Sequence, residues 1–375
     1  MRKTSFIRLA VAATAVALLA NTTVSAQAAI KPAAKATVGD DCTAASVGKS
    51  AKGRGVDGTD LTCMVVTTGS YKGMNKWWYK DVKPLKSIDW TIPANPGGYS
   101  LTGDAITNSL KAEGLLTSTT SVFKPGAGGA VGLAAFQEIK GKPEAAIVTG
   151  IAMTGGLYSN KSPLNLLDST PIAKILREYE GIVVPANSKY RTLKQLMDDL
   201  VAKPNAVAIA GGNKGGVDHQ TIGLLAQEAG IDPTKLNYVV YSGGPEVITS
   251  VLSNATQVGI SGALDFAPFV ASGKMRYLGV SSAKPLSGIK AKTFVSQGYN
   301  LVYGNWRGIM APADLSKADY LNFIKVIDIM HVSPAWKAEL TKNKWDNEFE
   351  AGIKFKTFLE KHIPEINKVM KGLGI

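Results

Sequence analysis

The sequence is poor in the residues on which catalytic and metal sites usually depend. It contains 375 residues but three histidines and two cysteines. None of the histidines, His219, His331 and His362, has a nucleophile patterned beside it, and no Gly-x-Ser-x-Gly turn occurs. We therefore predict that the protein is not an enzyme and that it uses neither a metal ion nor a cofactor.

Long apolar runs are also scarce, and the one present lies at the N-terminus. Basic residues at positions 2, 3 and 8 precede an apolar run from Leu9 to Ala20, and small residues at 24–28 offer two cleavage sites. This pattern is typical of a secretory signal peptide, which we assign to residues 1–26. A membrane anchor is the alternative, but the run is shorter than the roughly 20 residues that a span needs. No cysteine follows directly, so we expect a soluble, exported protein of the periplasm or cell surface that is not a lipoprotein.

The charge of the chain is one-sided. The formal net charge is +13, and loss of the three basic residues of the signal peptide would leave +10. Residues 31–86 hold ten Lys and Arg against five Asp and Glu, which is half of that excess. Such a surface favours anionic partners such as cell-wall polymers, lipid head groups or acidic solutes, although a solubilising role explains it as well. Nucleic acid is excluded as a partner, because the scattered lysines form no recognition element.

The two cysteines, Cys42 and Cys63, both lie in the N-terminal part of the chain. In an oxidising compartment, an even pair within a short segment is most simply one disulfide. Closing this loop would stabilise the fold by about 3 kcal/mol in the chain-entropy model. A metal site would need further ligands nearby, and no histidine precedes His219.

Residues 27–86 differ in composition from the remainder. Residues 27–38 are predicted to be a flexible lead, and residues 39–83 are rich in glycine turns with β-leaning runs at 61–68 and 77–79. We predict a small β-rich module with a linker. The aromatic residues Trp77, Trp78 and Tyr79 either fill its small core or form a sugar- or wall-binding face.

From Ile88 onward, strand-like and helix-like segments alternate, which predicts α/β architecture with parallel sheets. Candidate strands are 88–92, 119–123, 145–149, 181–184, 206–210, 238–241, 258–261 and 276–280. Candidate helices are 103–112, 130–139, 192–202 and 221–229. The stretch from Lys317 to Met370 is predicted to be mostly helical, with interruptions at Pro334 and Pro364. The whole stretch from Ser87 to Ile375 is long enough for two domains.

Four glycine-rich turns stand where a predicted strand passes into a helix. They cover residues 95–98, 124–129, 211–216 and 242–245. Such a turn lets the backbone approach a ligand closely and directs free helix N–H groups at it, which suits an anion. A single turn of this kind is better explained by tight packing. Four at equivalent strand ends predict the capture of a small anionic molecule.

With these turns in place, the sequence resembles the receptors of tripartite tricarboxylate transporters, the Bug type of extracytoplasmic solute receptor. The resemblance covers about residues 88–375 and is carried by stretches at 93–98, 125–129, 170–174, 215–219, 241–246 and 305–308. It leaves out residues 31–86. One departure concerns the first turn, where Leu101 occupies the position of the family's usual aspartate, which fits a ligand without an ammonium group.

The resemblance implies a type II periplasmic-binding-protein fold, with two α/β lobes that close over a ligand. Lobe one would comprise residues 87–174 and 304–375, and lobe two residues 175–303. The first two glycine turns would then face the last two across a cleft. This arrangement implies a carboxylate held by N–H donors from both lobes, with few charged side chains.

Sixteen residues are predicted to contact this ligand: Gly97, Gly98, Tyr99, Ser100, Ala127, Gly128, Gly129, Thr149, Gly150, Gly215, Gly216, Asp218, His219, Ser261, Gly262 and Asp265. Asp218 is better explained as the cap of a helix, with ligand contact as the alternative. Arg307 is interpreted as a hinge or core-edge residue rather than as a ligand clamp.

The predicted function is the capture of a small carboxylate and its delivery to the membrane permease subunits of a tripartite tricarboxylate-type transporter. The alternative is an exported enzyme or a cell-wall-associated protein that reuses the fold. Contact of residues 31–86 with the cell wall or membrane surface would supplement either function.

Overall fold

The computed structural model describes residues 30–375. The signal peptide assigned to residues 1–26 therefore lies outside the described residues. Within 30–375, no helix is both long enough and apolar enough to cross a membrane.

The N-terminal module is a small antiparallel sheet, as predicted. Its strands are β1 (Ser50–Ala51), β2 (Leu61–Val65) and β3 (Asn75–Trp78), with β2 in the centre. A disulfide joins Cys42 to Cys63 with the two Cα atoms 6.0 Å apart, which confirms the predicted pairing.

The predicted flexible lead is wrong in the described residues. Of the two interpretations of the aromatic residues, the small core is confirmed and the binding face is wrong. Ala36 and Val38 are buried, and the carbonyl of Lys31 accepts a hydrogen bond from Trp77 Nε1 at 3.0 Å, so residues 30–38 pack onto the module. Trp77, Trp78 and Tyr79 are 2%, 7% and 1% exposed. A module of this size needs its aromatics for its own core and for the surface on which it docks.

The remainder of the chain contributes one large sheet flanked by helices. Its first part contains β4 (Leu85–Ile92), α1 (Gly98–Ala112), β5 (Leu116–Phe123), α2 (Ala130–Gln137), β6 (Ala145–Gly150), α3 (Ile151–Ser159) and β7 (Thr170–Pro185). There follow α4 (Leu193–Ala202), β8 (Ala208–Gly211), α5 (Val217–Glu228), β9 (Asn237–Val240), α6 (Gly244–Leu252), β10 (Val258–Gly262), α7 (Ala267–Ala271) and β11 (Met275–Val280). The last elements are β12 (Gly304–Ala311), α8 (Lys317–Val332), α9 (Pro334–Asn343), β13 (Glu350–Ala351) and α10 (Ile353–Gly372).

The sheet has ten strands and is mixed rather than parallel. The order is β5-β4-β6-β12-β7-β10-β8-β9, with β11 and β13 also paired to β7. The pairs β4–β5, β4–β6, β8–β9 and β8–β10 are parallel, whereas every pair that includes β7 or β12 is antiparallel. The prediction of parallel sheets fails because β7 and β12 cross between the two halves instead of returning through a helix.

Strand β7 connects two separate groups of buried residues. Ile172, Ala173, Ile175 and Leu176, in its first half, pack in a core that also contains residues of the N-terminal module. Residues 182–184, in its second half, pack in the two cores built from α4, α5, α6 and their strands. The two α/β lobes of the expected fold class are therefore present, and they share one strand. The boundaries at 174/175 and 303/304 stay a prediction, and β7 crosses the first of them without a break.

Local sequence signals explain where several elements begin. Helix α4 starts at a capping box, in which Thr192 Oγ1 accepts from the Gln195 N–H and Gln195 Oε1 accepts from the Thr192 N–H, both at 3.3 Å. Pro334 separates α8 from α9 as predicted. Pro364, however, lies inside α10, so the predicted interruption is wrong there. Phe355, Leu359, Ile366 and Met370 are buried along that helix, and their packing outweighs the one backbone hydrogen bond that proline removes.

The N-terminal module is bound to lobe one by buried polar contacts. The hydroxyl of Tyr79 donates a hydrogen bond to the carboxylate of Asp328 in α8. Asp57 accepts hydrogen bonds from the Tyr320 hydroxyl at 2.6 Å and from the N–H of Ile353 at 2.9 Å. Burial and the Asp328 carboxylate raise the pKa of Tyr79. The module and lobe one thus share a single core, and reduction of the disulfide is expected to weaken both.

We predict that Tyr79→Phe lowers the free energy of unfolding by about 1–3 kcal/mol, because it removes the hydroxyl donor from the buried Asp328 carboxylate. Tyr190→Phe is the matched control, since Tyr190 also donates to an aspartate, Asp199, which is exposed and keeps Lys189 as a partner at 2.6 Å. Urea unfolding followed by tryptophan fluorescence measures both. An equal loss in the two variants, or a separate early transition in Tyr79→Phe, would show that the module is not part of the lobe-one core.

Candidate functional site

All four glycine turns line one cleft of about 1470 Å³ between the two lobes. Twelve of the sixteen predicted contacts lie along it: Gly97, Gly98, Tyr99, Ser100, Ala127, Gly128, Gly129, Gly216, Asp218, Ser261, Gly262 and Asp265. The turn at 242–245 also lines it, although none of its residues is among the sixteen.

Four predicted contacts lie behind the cleft rather than on its wall. Thr149 and Gly150 are buried in β6, where a Cβ on Gly150 would come within 2.6 Å of the Trp306 carbonyl oxygen. His219 accepts a hydrogen bond from the Gly215 N–H at 3.1 Å and stacks on Tyr238, with the ring centroids 4.3 Å apart. Burial, together with the charge of Lys214, lowers the pKa of His219 to about 4, so its ring is neutral at physiological pH. These residues pack behind the glycine turns and support them.

Two of the turn glycines are required by their backbone conformation and by close packing. Gly128 has φ of 62°, and a Cβ there would lie 2.5 Å from Gly156 Cα. Gly215 has φ of 76°, and a Cβ there would overlap the Met370 Cε methyl. Both positions are therefore unsuitable for a substitution intended to block the cleft without disturbing the fold.

Each of the four turns contains a glycine that serves as the N-cap of a helix. The caps are Gly97 of α1, Gly129 of α2, Gly216 of α5 and Gly243 of α6. Because glycine has no side chain to accept from the first helical N–H groups, these donors stay available at the start of α1 and α5. The set is smaller in the other two helices, since Ala130 at the start of α2 donates to the Ala127 carbonyl and Pro245 in α6 has no N–H. The caps of α1 and α2 belong to lobe one, and those of α5 and α6 to lobe two.

Arg307, in β12, lies on the cleft wall and not only at the edge of the core. Its Nη2 forms an ion pair with Glu178 Oε1 at 2.7 Å, and its guanidinium lies over the Tyr99 ring at 4.5 Å. Glu178 also accepts from Asn305 Nδ2 at 2.7 Å. Gly98 permits this arrangement, because a Cβ there would overlap Arg307 Nη2. The interpretation of Arg307 as a hinge or core-edge residue therefore missed its place in the cleft.

Buried carboxyl groups make up the lobe-two side of the cleft. Glu180 of β7 is 1% exposed, and burial together with the Asp218 carboxylate raises its pKa well above the usual range. Burial also raises the pKa of Asp218 to about 6, although its carboxylate accepts from the Gly212 N–H at 2.7 Å. Asp218 is thus not the N-cap of α5, which is Gly216. The expectation of few charged side chains is wrong.

Asp265, just beyond β10, adds a further carboxyl group to this side. Its Oδ2 accepts from Ser261 Oγ at 3.1 Å. Partial removal from water by the cleft walls raises the pKa of Asp265 to about 6, and the nearby Glu178 carboxylate adds to this shift. The Asp265 side chain still borders solvent in the cleft.

Sequence reasoning missed Glu178, Glu180 and Asn305. Glu178 and Glu180 are two residues apart in a strand, so their side chains leave the same face. The signal for them was the polar run of residues 177–180 between two apolar runs, at 175–176 and 181–184. Asn305 lies opposite Glu178 in the register of β7 and β12, which only the strand pairing reveals.

The fold and the cleft define a two-lobed solute-binding protein. The family model of the tripartite tricarboxylate transporter family receptor matches residues 112–375. The chain therefore belongs to this family, with residues 30–111, including the first glycine turn, lying before the matched stretch.

Individual proteins that are similar to the chain agree with this assignment. The UPF0065 protein in the tcbD-tcbE intergenic region of Pseudomonas sp. (strain P51) is 24% identical over 204 residues, which cover 54% of this chain and 60% of that protein. The chain thus matches less than two thirds of the length of this curated relative.

Solved structures share the fold at lower identity. The periplasmic binding protein BugD has a TM-score of 0.65 at 17% identity, covering 78% of this chain and 99% of BugD. A Rhodopseudomonas palustris protein solved with adipate has a TM-score of 0.67 at 16% identity, with coverage of 78% and 98%. MatC from the same organism, solved with malate, has a TM-score of 0.62 at 15% identity, with coverage of 77% and 100%.

We predict that Gly215→Ala lowers the free energy of unfolding by at least about 1 kcal/mol, because the residue has positive φ and its Cβ would overlap Met370. Gly243→Ala is the control from the same cleft, since its φ of 161° is extended and a Cβ there meets nothing within 4 Å. Chemical denaturation of both variants tests this. Equal stability of the two would mean that the third turn is not held as tightly as described.

Proposed function

We propose that the protein captures a small carboxylate in the cleft and delivers it to the membrane permease of a tripartite tricarboxylate-type transporter. The observation that carries this proposal is the convergence of four glycine-capped helices on one cleft. Each helix has at least eight residues, and each N-terminus contributes roughly 0.3–1 kcal/mol toward an anion at an exposed site, and more where it is partly buried. Donors from both lobes can then hold one carboxylate and favour closure.

Membership of the receptor family supports the permease as partner. The malate and adipate of the two R. palustris structures support small dicarboxylates as the first ligands to test. The periplasmic character of BugD supports an extracytoplasmic location. Cleavage of the signal peptide without lipid attachment is part of the same proposal and rests on the N-terminal sequence alone.

We further propose that the ligand leaves the cleft chemically unaltered. His219 directly follows Asp218, a residue of the cleft wall. Its ring is neutral, stacks on Tyr238 and accepts a hydrogen bond from the Gly215 N–H behind that wall. A reacting group would have to lie within hydrogen-bond reach of the substrate.

We predict that malate or adipate binds the purified protein and that Gly243→Leu weakens binding by roughly tenfold or more, because the leucine side chain would occupy the cleft at the α6 N-terminus. Isothermal titration calorimetry measures the affinity, and thermal unfolding verifies that the variant folds. Gly243→Ala is the size control and is expected to retain most of the affinity.

Mass spectrometry of ligand recovered after incubation with stoichiometric protein completes this test. Unchanged affinity in a folded Gly243→Leu variant would refute the assignment of the cleft. Reproducible conversion of the ligand would refute the proposal that the protein is not an enzyme.

We also propose that the N-terminal module holds the receptor near the cell envelope through its charge. Six lysines of the module are exposed and take part in none of the ion pairs among residues 30–375: Lys35, Lys49, Lys72, Lys80, Lys83 and Lys86. They would attract anionic wall polymers or head groups. The buried aromatic residues take no part, which removes the second argument for such contact.

Charge reversal at the module is expected to reduce retention on isolated cell envelopes, and added salt is expected to reduce retention of the unaltered protein, since screening acts within about 8–10 Å. The module variant carries Lys35→Glu, Lys49→Glu and Lys72→Glu. The control variant carries the same change at exposed lysines of lobe two, Lys203→Glu, Lys235→Glu and Lys284→Glu. Equal retention of the two variants in a sedimentation assay would leave the module without this role.

A further inference from the structure

We propose that the cleft contains a subsite for a protonated amine, formed by Glu180, Asp218, Asp265 and Asn305, so that the preferred ligand is a small carboxylate that also carries an ammonium group. This inference rests on the proposed function, because it concerns the second end of the same ligand. It also replaces the expectation, drawn from Leu101 in the first turn, that the ligand has no ammonium group.

The charge of the cleft is the first argument. Six acidic side chains line it: Asp104, Glu178, Glu180, Asp218, Glu246 and Asp265. Three basic side chains line it: Lys214, Arg307 and Lys344. The chain as a whole is strongly basic, so this excess of acids is a local property of the cleft. This excess of acidic side chains would repel a ligand that carries only negative charge.

Arg307 does not remove this excess, because its charge is already engaged. Its Nη2 is paired with Glu178 Oε1 at 2.7 Å, and it faces Tyr99 on the other side. The carboxyl groups of Glu180, Asp218 and Asp265 take part in none of the ion pairs found within residues 30–375. Asp218 accepts from the Gly212 N–H and Asp265 from the Ser261 hydroxyl. The carboxyl groups of Glu180 and Asp218 also lie within hydrogen-bond reach of each other, so these two acids can share a proton until a cation replaces it.

Buried acceptors without partners are the second, independent argument. Asn305 is 5% exposed, and its Oδ1 has no hydrogen-bond partner among the described residues. The amide cannot be turned to avoid this, because its Nδ2 donates to Glu178 Oε1 at 2.7 Å. Glu180 is 1% exposed, and within 30–375 its Oε2 accepts from no N–H or hydroxyl group, its carboxyl group lying against that of Asp218. Both residues line the cleft, so a ligand that brings N–H donors would satisfy them.

A further unpartnered group, Arg307 Nε, is a donor and suits the other end of such a ligand. Arg307 Nε is buried, lacks an acceptor in the described part of the chain and belongs to the cleft wall. Arg307 Nε and the N–H groups of the glycine-capped helix ends can donate hydrogen bonds to the carboxylate of the ligand. The cleft thus offers donors for an anion and acceptors with negative charge for a cation. An ammonium group supplies both the positive charge and the N–H donors that the acidic side requires.

Two other groups could occupy the acidic side of the cleft, and each would give a different experimental result. Protonated carboxyl groups could donate to a second carboxylate, and a divalent cation could bridge the acids to a carboxylate. Among residues 30–375, no group of three Asp, Glu, His or Cys side chains is arranged to hold a metal ion. The direction of the pH dependence separates the first alternative from an amine, since an ammonium group favours the ionised acids.

The test uses ligand pairs that differ only at the amine. Aspartate replaces the hydroxyl of malate by an ammonium group, and 2-aminoadipate adds one to adipate. With the mature protein, we expect the aminated member to bind about tenfold or more tightly at pH 8. Its affinity is expected to fall as the pH is lowered through about 6, where Asp218 and Asp265 take up protons. Calorimetry in buffers of different ionisation enthalpy should record proton release.

Two variants assign the effect to the subsite. Asp265→Asn and Glu180→Gln should each remove most of the preference for the aminated ligand, measured within each variant as the ratio of the affinities for the aminated and the unaminated member of a pair. Asp198→Asn is the control, because it removes the same charge from an exposed position outside the cleft, and it should keep the full preference. Asp265 borders solvent, so its variant is expected to fold even if Glu180→Gln does not.

Each other outcome overturns the inference. If malate or adipate binds as well as its aminated partner, or takes up protons and binds more tightly at pH 5, the acids act as neutral donors and the carboxylate function stands alone. If malate binds only with added calcium or magnesium, the acids serve a cation instead. If no member of either pair binds, the proposed function fails as well.

Discussion

Backbone pairing along one strand holds the molecule together. Strand β7 runs for 16 residues and pairs with β12 and β13 in lobe one and with β10 and β11 in lobe two. Its ends are buried in different cores, so the middle, where Glu178 and Glu180 lie, must cross the space between the lobes. The position of the cleft, and the acidic character of one side of it, follow from this crossing.

The features that sequence predicted well depend on local chemistry. The glycine turns, the helix predicted to start at Thr192 and the helix boundary at Pro334 each depend on a few neighbouring residues, and each is found where expected. The disulfide followed from cysteine count and compartment alone. Most of the residues in the glycine turns line the cleft, as predicted. They could be identified because the sequence around a strand end that passes into a helix is a local signal.

The features that were missed depend on pairing between distant segments. Strand β12 escaped notice because its polar residues Asn305 and Arg307 make sense only opposite Glu178 and Leu176 of β7. The antiparallel direction of these strands, the contact of Tyr79 with Asp328 and the continuation of α10 through Pro364 have the same origin. In each case tertiary packing outweighed the local preference, and a single sequence does not reveal which partners will meet.

The docking of the N-terminal module constrains the order in which the chain can fold. Tyr79 meets Asp328 across 249 positions, and Asp57 meets Ile353 across 296. Contacts of such high sequence separation form late, because loop closure must precede them. The ribosome delivers the module first and α8 and α10 last. Its docking surface stays uncovered throughout synthesis, so this receptor can complete its core only after nearly its whole length has emerged.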